Sequence, residues 1–123
     1  MIAIGCDHGG FRLKQEIMQH LEARGERFYD FGTYTEESCD YPDYGKAVAH
    51  AVASGEYDRG IRAAVCGDCF SAEATRLHND ANILALGARV VGPGLALKIV
   101  DTFLDTPFSN DERHLRRIGK IES

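Results

Sequence analysis

The sequence predicts an α/β fold built on an open parallel sheet of about four strands. Two observations carry this expectation. Short apolar runs alternate with amphipathic segments along the whole chain, in the order β-α-β-α-β-α-β-α with a last helix at the end. Residues 82–91 (NILALGARVV) are nearly continuous apolar sequence, broken only by Gly87 and Arg89. Such a run suits a strand covered on both faces, as in a parallel sheet.

Taken in order, residues 1–6 (MIAIGC) form a short apolar strand, followed by Asp7-His8-Gly9-Gly10 and a helix. Leu13, Ile17 and Leu21 recur every fourth residue, which gives that helix one apolar face for a sheet. Gly25 is placed to stop it. Residues 27–32 (RFYDFG) read as a second strand and residues 33–43 as a polar loop ending in DYPD. Pro42 fits the first turn of the next helix, whose face is Tyr44, Val48, Ala51 and Val52 and whose stop is Gly55. Residues 61–66 (IRAAVC) form a third strand, residues 70–77 a short helix, and residues 82–91 the fourth strand. Leu95, Ile99, Val100 and Phe103 mark a helix starting near Pro93-Gly94, and residues 112–121 form a basic, helical tail. The arrangement is a Rossmann-like, three-layer α/β/α sheet, and ligands on such sheets bind outside the carboxyl ends of the strands. Asp7, His8, Cys66, Gly67 and the loop after Arg89 are expected to gather there.

With 123 residues and no shift in composition, residues 1–123 read as one domain. A hydrophobic share of 44% allows a real core, and 27% charged residues favour solubility. The net charge of −5, with basic residues dispersed among acids, argues against a nucleic-acid partner. No apolar run approaches transmembrane length, so no membrane partner is expected. Cys6, Cys39, Cys66 and Cys69 form no tidy disulfide framework, which points to free thiols and a cytoplasmic protein.

Several residues have the chemistry of a site. His78 carries an imidazole, the side chain most often used as a general acid or base, and stands beside Asn79 and Asp80, which are also ordinary turn residues. Asp7-His8-Gly9-Gly10 links a strand end to a helix start, where backbone N–H groups can meet a phosphate and Asp7 can hold sugar hydroxyls or merely cap the helix. Arg113 and Arg117 share a helix face and make either a phosphate clamp or a solvated basic tail. Arg89, inside an apolar run, is expected to have an anionic partner, a protein carboxylate or a ligand. Cys66-Gly67-Asp68-Cys69 is a C-x-x-C between strand and helix, the context of a redox motif, though the residues that usually accompany one are not evident.

The segments GCDHGGFRLK, DFGTYTEESCDYPDY, SAEATRLHNDANILALGARVVGPGLALKIVD and ERHLRR resemble the sugar-phosphate isomerases that include ribose-5-phosphate isomerase B and the galactose-6-phosphate isomerase subunits. The resemblance runs over nearly the whole chain, in order. It implies a Rossmann-like enzyme that interconverts aldose and ketose phosphates through an enediolate, without metal or other cofactor. It also implies a homodimer or dimer of dimers, with sites at the subunit interface. The substrate most in keeping with it is ribose 5-phosphate, in exchange with ribulose 5-phosphate. By resemblance, Asp7 and His8 match the sugar-binding pair, and Asp40 and Tyr41 the acidic loop near the substrate. His78 matches the acid/base that opens the sugar ring, and Asn79 its substrate-binding neighbour. Arg89, Arg113 and Arg117 match the phosphate-binding arginines.

One departure stands out. Where the family has a strand of type ILICGTG and a helix of type GISIAANK, Asp58-Arg59-Gly60 here runs straight into Ile61-Arg62-Ala63. Roughly 20 residues are absent, about one strand and one short helix with its turns. The absent piece carries the family's base, usually a cysteine, and the glycine-rich loop that stabilises the enediolate oxygen. Three expectations follow. In one, the strand at residues 61–66 moves in beside the first strand and Cys66 substitutes for the base. In another, the chain is a catalytically impaired homologue that still binds sugar phosphates. In the third, loss of an inner strand leaves a poorly folding product.

Overall fold

The computed structural model describes residues 1–122, with their side chains except those of residues 62–66 and 122. Four strands, β1 (Ile2–Gly5), β2 (Phe28–Asp30), β3 (Arg59–Cys66) and β4 (Ile83–Leu86), pair in parallel in the order β2-β1-β3-β4. They alternate with α1 (Phe11–Ala23), α2 (Tyr41–Ala53), α3 (Cys69–Asn79) and α4 (Pro93–Asp105), and α5 (Glu112–Glu122) follows. This is the α/β fold and the strand number that the sequence predicts.

β3 does take the place beside β1: Ile2, Ala3 and Ile4 stand opposite Arg59, Gly60 and Ile61. Its other edge pairs β4, with Gly60, Ile61 and Arg62 opposite Ile83, Leu84 and Ala85. The register then slips, so that Cys66 is the residue opposite Leu86. Residues 63–65 of β3 have no counterpart on β4, so the pairing is irregular there.

The helices divide unequally between the faces. On one face Leu13, Ile17 and Leu21 of α1, Ala72 of α3, and Ala96, Ile99, Val100 and Phe103 of α4 pack with Ile2, Ile4, Ile61, Leu84 and Leu86. On the other, Ala3 meets Val48, Ala51 and Val52 of α2, with Phe31, Tyr57 and Ile83 at the margin. Glycines in β1 and β3 let α2 sit close. A Cβ on Gly5 would lie 2.8 Å from Val48 Cγ2, and one on Gly60 would lie 2.9 Å from Val48 Cγ1 and 3.0 Å from Val52 Cγ2.

Several boundaries differ from the sequence reading: β2 is confined to Phe28–Asp30, β3 begins already at Arg59, and two further differences bear on the site. The apolar run at residues 82–91 is not one strand. β4 ends at Leu86, and the Gly87 carbonyl accepts from the N–H groups of Val90 and Val91, so the chain turns at once. Val91 returns to the core while Val90 is exposed, which makes the run a strand plus a turn. α3 is longer than expected and takes in His78 and Asn79. It ends at Asp80, whose left-handed backbone (φ 52°) is tolerable for an Asp and closes the helix.

Two buried cations tie the layers together. Lys14 on α1 is 2% exposed, and its Nζ donates to Asp30 Oδ1 at 2.8 Å and to the Thr33 carbonyl. Arg76 on α3, 3% exposed, donates to Asp80 Oδ1 at 2.8 Å, to the Ala81 carbonyl at 2.6 Å and to the Thr106 carbonyl at 3.2 Å. Removing either would leave carbonyls unpaired where water is scarce, which costs more than the bonds contribute net.

Gly60→Val is expected to destabilise the fold by about 1–3 kcal/mol, through overpacking against Val48 and Val52; a urea midpoint equal to wild type would refute the close seating of α2. Burial raises the Cys6 thiol from its ordinary 9.0 to about 11. The folded state therefore holds this proton after the unfolded chain has released it. The stabilisation is complete below pH 9 and is lost as pH rises to about 11. The difference in unfolding free energy between wild type and Cys6→Ala should shrink by roughly 2–3 kcal/mol across that window.

Candidate functional site

β1 delivers Asp7 and His8 to the carboxyl end of the sheet, and β4 delivers residues 87–89 to the same end. Between them lies a cavity of about 300 Å³, lined by Asp7, His8, Gly9, Gly10, Gly87, Ala88 and Arg89. Asp7 caps the 3-10 turn His8–Gly10, with Oδ1 accepting the Gly10 N–H at 3.2 Å. The capping role foreseen for it is therefore real, and its carboxylate also faces the cavity. Arg89 lies across Gly9: a Cβ there would be 3.6 Å from Arg89 Nε and 3.4 Å from Asp7 Oδ1.

Arg89 is exposed at the turn after β4, not enclosed in a strand. The cost of burial does not apply to it, because the turn at Gly87 carries it out to the cavity mouth. It makes no ion pair with a carboxylate among the described residues, so a protein partner is not what holds it there. A guanidinium with unused paired donors, beside backbone N–H groups, is chemically suited to a phosphate.

The loop after β2 completes this end. Cys39 is half-buried, and its backbone N–H donates to His8 Nδ1 at 3.2 Å, with Sγ 3.7 Å from the same nitrogen. Asp40 and Tyr41 follow at the head of α2, both exposed. Cys66 closes β3, between β1 and β4. Its side chain lies outside the described residues, and so does any test of the base or redox roles expected of it. Cys6, Cys39 and Cys69 carry free thiols.

His78 and Asn79 are elsewhere. They occupy the last turn of α3, just before β4 begins, at the amino end of the sheet. The exposed His78 ring lies 4.6 Å from His114, a buried residue of α5 whose Nδ1 is 2.9 Å from Ser109 Oγ. Burial, then the neighbouring His78 and Arg113, pushes His114 below its ordinary value. Arg76 fixes this end of α3 against residues 80, 81 and 106, and the Ser109 N–H donates to the Leu77 carbonyl. Arg113 and Arg117 are exposed on α5, and Arg113 Nε lies 3.6 Å from Asp111 Oδ1.

The candidate residues thus form two groups at opposite ends of one chain's sheet. Asp7, His8, Asp40, Tyr41 and Arg89 lie at the carboxyl end, and His78, Asn79 and Arg113 at the amino end, with Arg117 one turn along from Arg113. Sequence reasoning missed Cys39 as a neighbour of His8 and His114 as a neighbour of His78. It also missed Lys14 and Arg76, although each is a cation on the apolar side of its helix, which was the available signal.

The model of the ribose/galactose isomerase family matches residues 2–62 and, separately, residues 59–121. The two matches meet at the foot of β3. Ribose-5-phosphate isomerase B of Escherichia coli is 45% identical over 139 aligned positions, covering 98% of this chain and 93% of the relative. Since this chain has 123 residues, the relative carries a stretch with no counterpart here. Galactose-6-phosphate isomerase subunit LacB of Clostridium acetobutylicum is 35% identical, with 99% of this chain and 82% of the relative covered. Among solved structures, ribose-5-phosphate isomerase B of Clostridium thermocellum superposes with a TM-score of 0.93 at 51% identity, over 98% of this chain and 93% of that one. From β1 to α5, the chain belongs to the ribose/galactose isomerase family.

Proposed function

We propose that this protein is an aldose–ketose isomerase that interconverts ribose 5-phosphate and ribulose 5-phosphate through an enediolate. The observation that carries the reading is the cavity at the carboxyl end of the sheet, where Arg89 presents an unpaired guanidinium beside Asp7 and His8. Arg89 binds phosphate, and Asp7 and His8 hold sugar hydroxyls, with Asp40 and Tyr41 at the rim. The isomerase names of the relatives support the substrate class. They lend no support to the binding-only alternative.

One chain does not bring the ring-opening group to this cavity, so the working unit is a homodimer. In it, His78, Asn79, Arg113 and Arg117 of one copy complete the cavity of the other. Exposed apolar side chains flank both groups, which supports their meeting: Val90 is 87% exposed beside Arg89, and Leu115 and Ile121 are 51% and 78% exposed on the helix of Arg113 and Arg117. The protein is cytoplasmic in this reading, where its free thiols stay reduced.

The chemistry divides among these groups. His78 passes a proton between the anomeric hydroxyl and the ring oxygen, which opens the sugar. A base then takes the C2 proton of the open aldose, leaving the enediolate; the hydroxyl proton on O2 passes to O1, and the base returns its proton to C1 to give the ketose. Cys66 is the proposed base, by its place at the carboxyl end of the strand beside β1. Arg89, Arg113 and Arg117 fix the phosphate, so the C1–C2 unit stays in reach of the base.

Wild-type protein in deuterated water should exchange the C2 proton of ribose 5-phosphate, and Cys66→Ala should lose that exchange by about 10²-fold or more. Exchange that survives the substitution would assign the base elsewhere, and folded wild type with no exchange would end the isomerase reading. The shared site is tested by mixing. His78→Ala and Arg89→Ala should each be nearly inactive alone, while mixed and reassembled subunits should recover about a quarter of wild-type activity, since a mixed dimer holds one intact site. No recovery from dimers shown to have exchanged would rule out sharing.

A further inference from the structure

The loop between β2 and α2 is fastened at three points to the segment from His8 to Lys14, the 3-10 turn and the start of α1, in antiparallel order. The Thr33 carbonyl accepts from Lys14, Glu36 pairs with Arg12, and the Cys39 N–H donates to His8. The Thr33 end is the firm one. Thr33 N–H also donates to the Cys6 carbonyl at 2.8 Å, the Gly32 carbonyl accepts from Cys6 at 2.7 Å, and Lys14 is gripped by Asp30 between the rings of Phe11 and Tyr34. The middle fastening joins two exposed side chains and adds little. The Cys39 end carries the chemistry.

A backbone N–H can only donate. His8 Nδ1 must therefore be the acceptor, which leaves it without a proton and puts the proton of the neutral ring on Nε2. Because His8 lines the cavity, the ring offers a hydrogen-bond donor there and its acceptor edge is already used. We propose that residues 33–39 are a positioning strap that holds His8 as an Nε2–H donor toward a sugar oxygen, and that buried Lys14 is the positioning residue that anchors the strap. The sugar as recipient rests on the isomerase reading; the state of the ring does not.

The geometry separates the thiol of Cys39 from its backbone. Cys39→Ser keeps the N–H and replaces only sulfur. Cys39→Pro removes the N–H at a half-buried position of the loop, outside both core clusters. Lys14→Met removes the anchor while keeping an unbranched, apolar stem.

The test is ¹⁵N NMR of histidine-labelled free protein, read with kcat/KM and a urea midpoint. Wild type should show His8 as the Nε2–H tautomer. Cys39→Ser should match it and keep kcat/KM within about twofold. Cys39→Pro should give mixed His8 tautomers and a fall in kcat/KM of about tenfold at an unchanged midpoint, the scale of one misdirected hydrogen bond. Folded Lys14→Met should show the same mixing; if it does not fold, Cys39→Pro decides alone. An Nδ1–H tautomer in wild type, an unaltered His8 in Cys39→Pro, or equal damage from Cys39→Ser would overturn the proposal. Folded Lys14→Met with an unaltered His8 would remove the anchor role. Wild type with the Nε2–H ring and no isomerase activity would instead sink the isomerase reading and leave the strap standing.

Discussion

The double pairing of β3, to β1 on one edge and to β4 on the other, is the constraint on which everything else rests. Among the described residues, no other strand joins β1 and β2 to β4. It closes the sheet at the point where the two family matches meet. Because the pairing is parallel, it also fixes the direction of every helix. A helix between parallel strands starts at their carboxyl end and finishes at their amino end. α3 must therefore leave His78 at the far end from Asp7, and no rearrangement of side chains can bring them together within one chain. The separation of the two residue groups follows from β3, not from any feature of the groups themselves.

Much of this fold was legible. The spacing of Leu13, Ile17 and Leu21 gave α1 and its buried face, and Pro42 and Gly25 marked a helix start and a helix end where the structure has them. The strand count followed from the apolar runs. What misled was residues 82–91, because apolar content does not reveal a turn. Only Gly87, read as a chain reversal, could have divided Leu86 from Val91. The misplacement of Arg89 came from the same error.

Individual site residues were easier to find than their grouping. Asp7, His8 and Arg89 share a cavity, as adjacency to strand ends led one to expect. The contact between His78 and His114, and that between His8 and Cys39, join residues 36 and 31 positions apart. Such contacts depend on how α5 folds back onto α3 and on how the β2–α2 loop crosses α1, and neither path is written in local periodicity. The buried Lys14 and Arg76 were visible as exceptions to an apolar stripe, but their partners are mostly main-chain carbonyls, which carry no sequence signal.

The uneven cover of the sheet has a dynamic consequence. α2 rests on Ala3 through only Val48, Ala51 and Val52, while the opposite helices share the main core. Regions with few buried contacts open at lower free energy than the global transition. α2 is thus the natural first unit to detach, and it takes Asp40 and Tyr41 with it while the Arg89 wall, held by β4, stays in place. The cavity walls at residues 7–10 and 87–89 follow β1 and β4 and include no residue of α2, so the cavity keeps its shape while its rim opens.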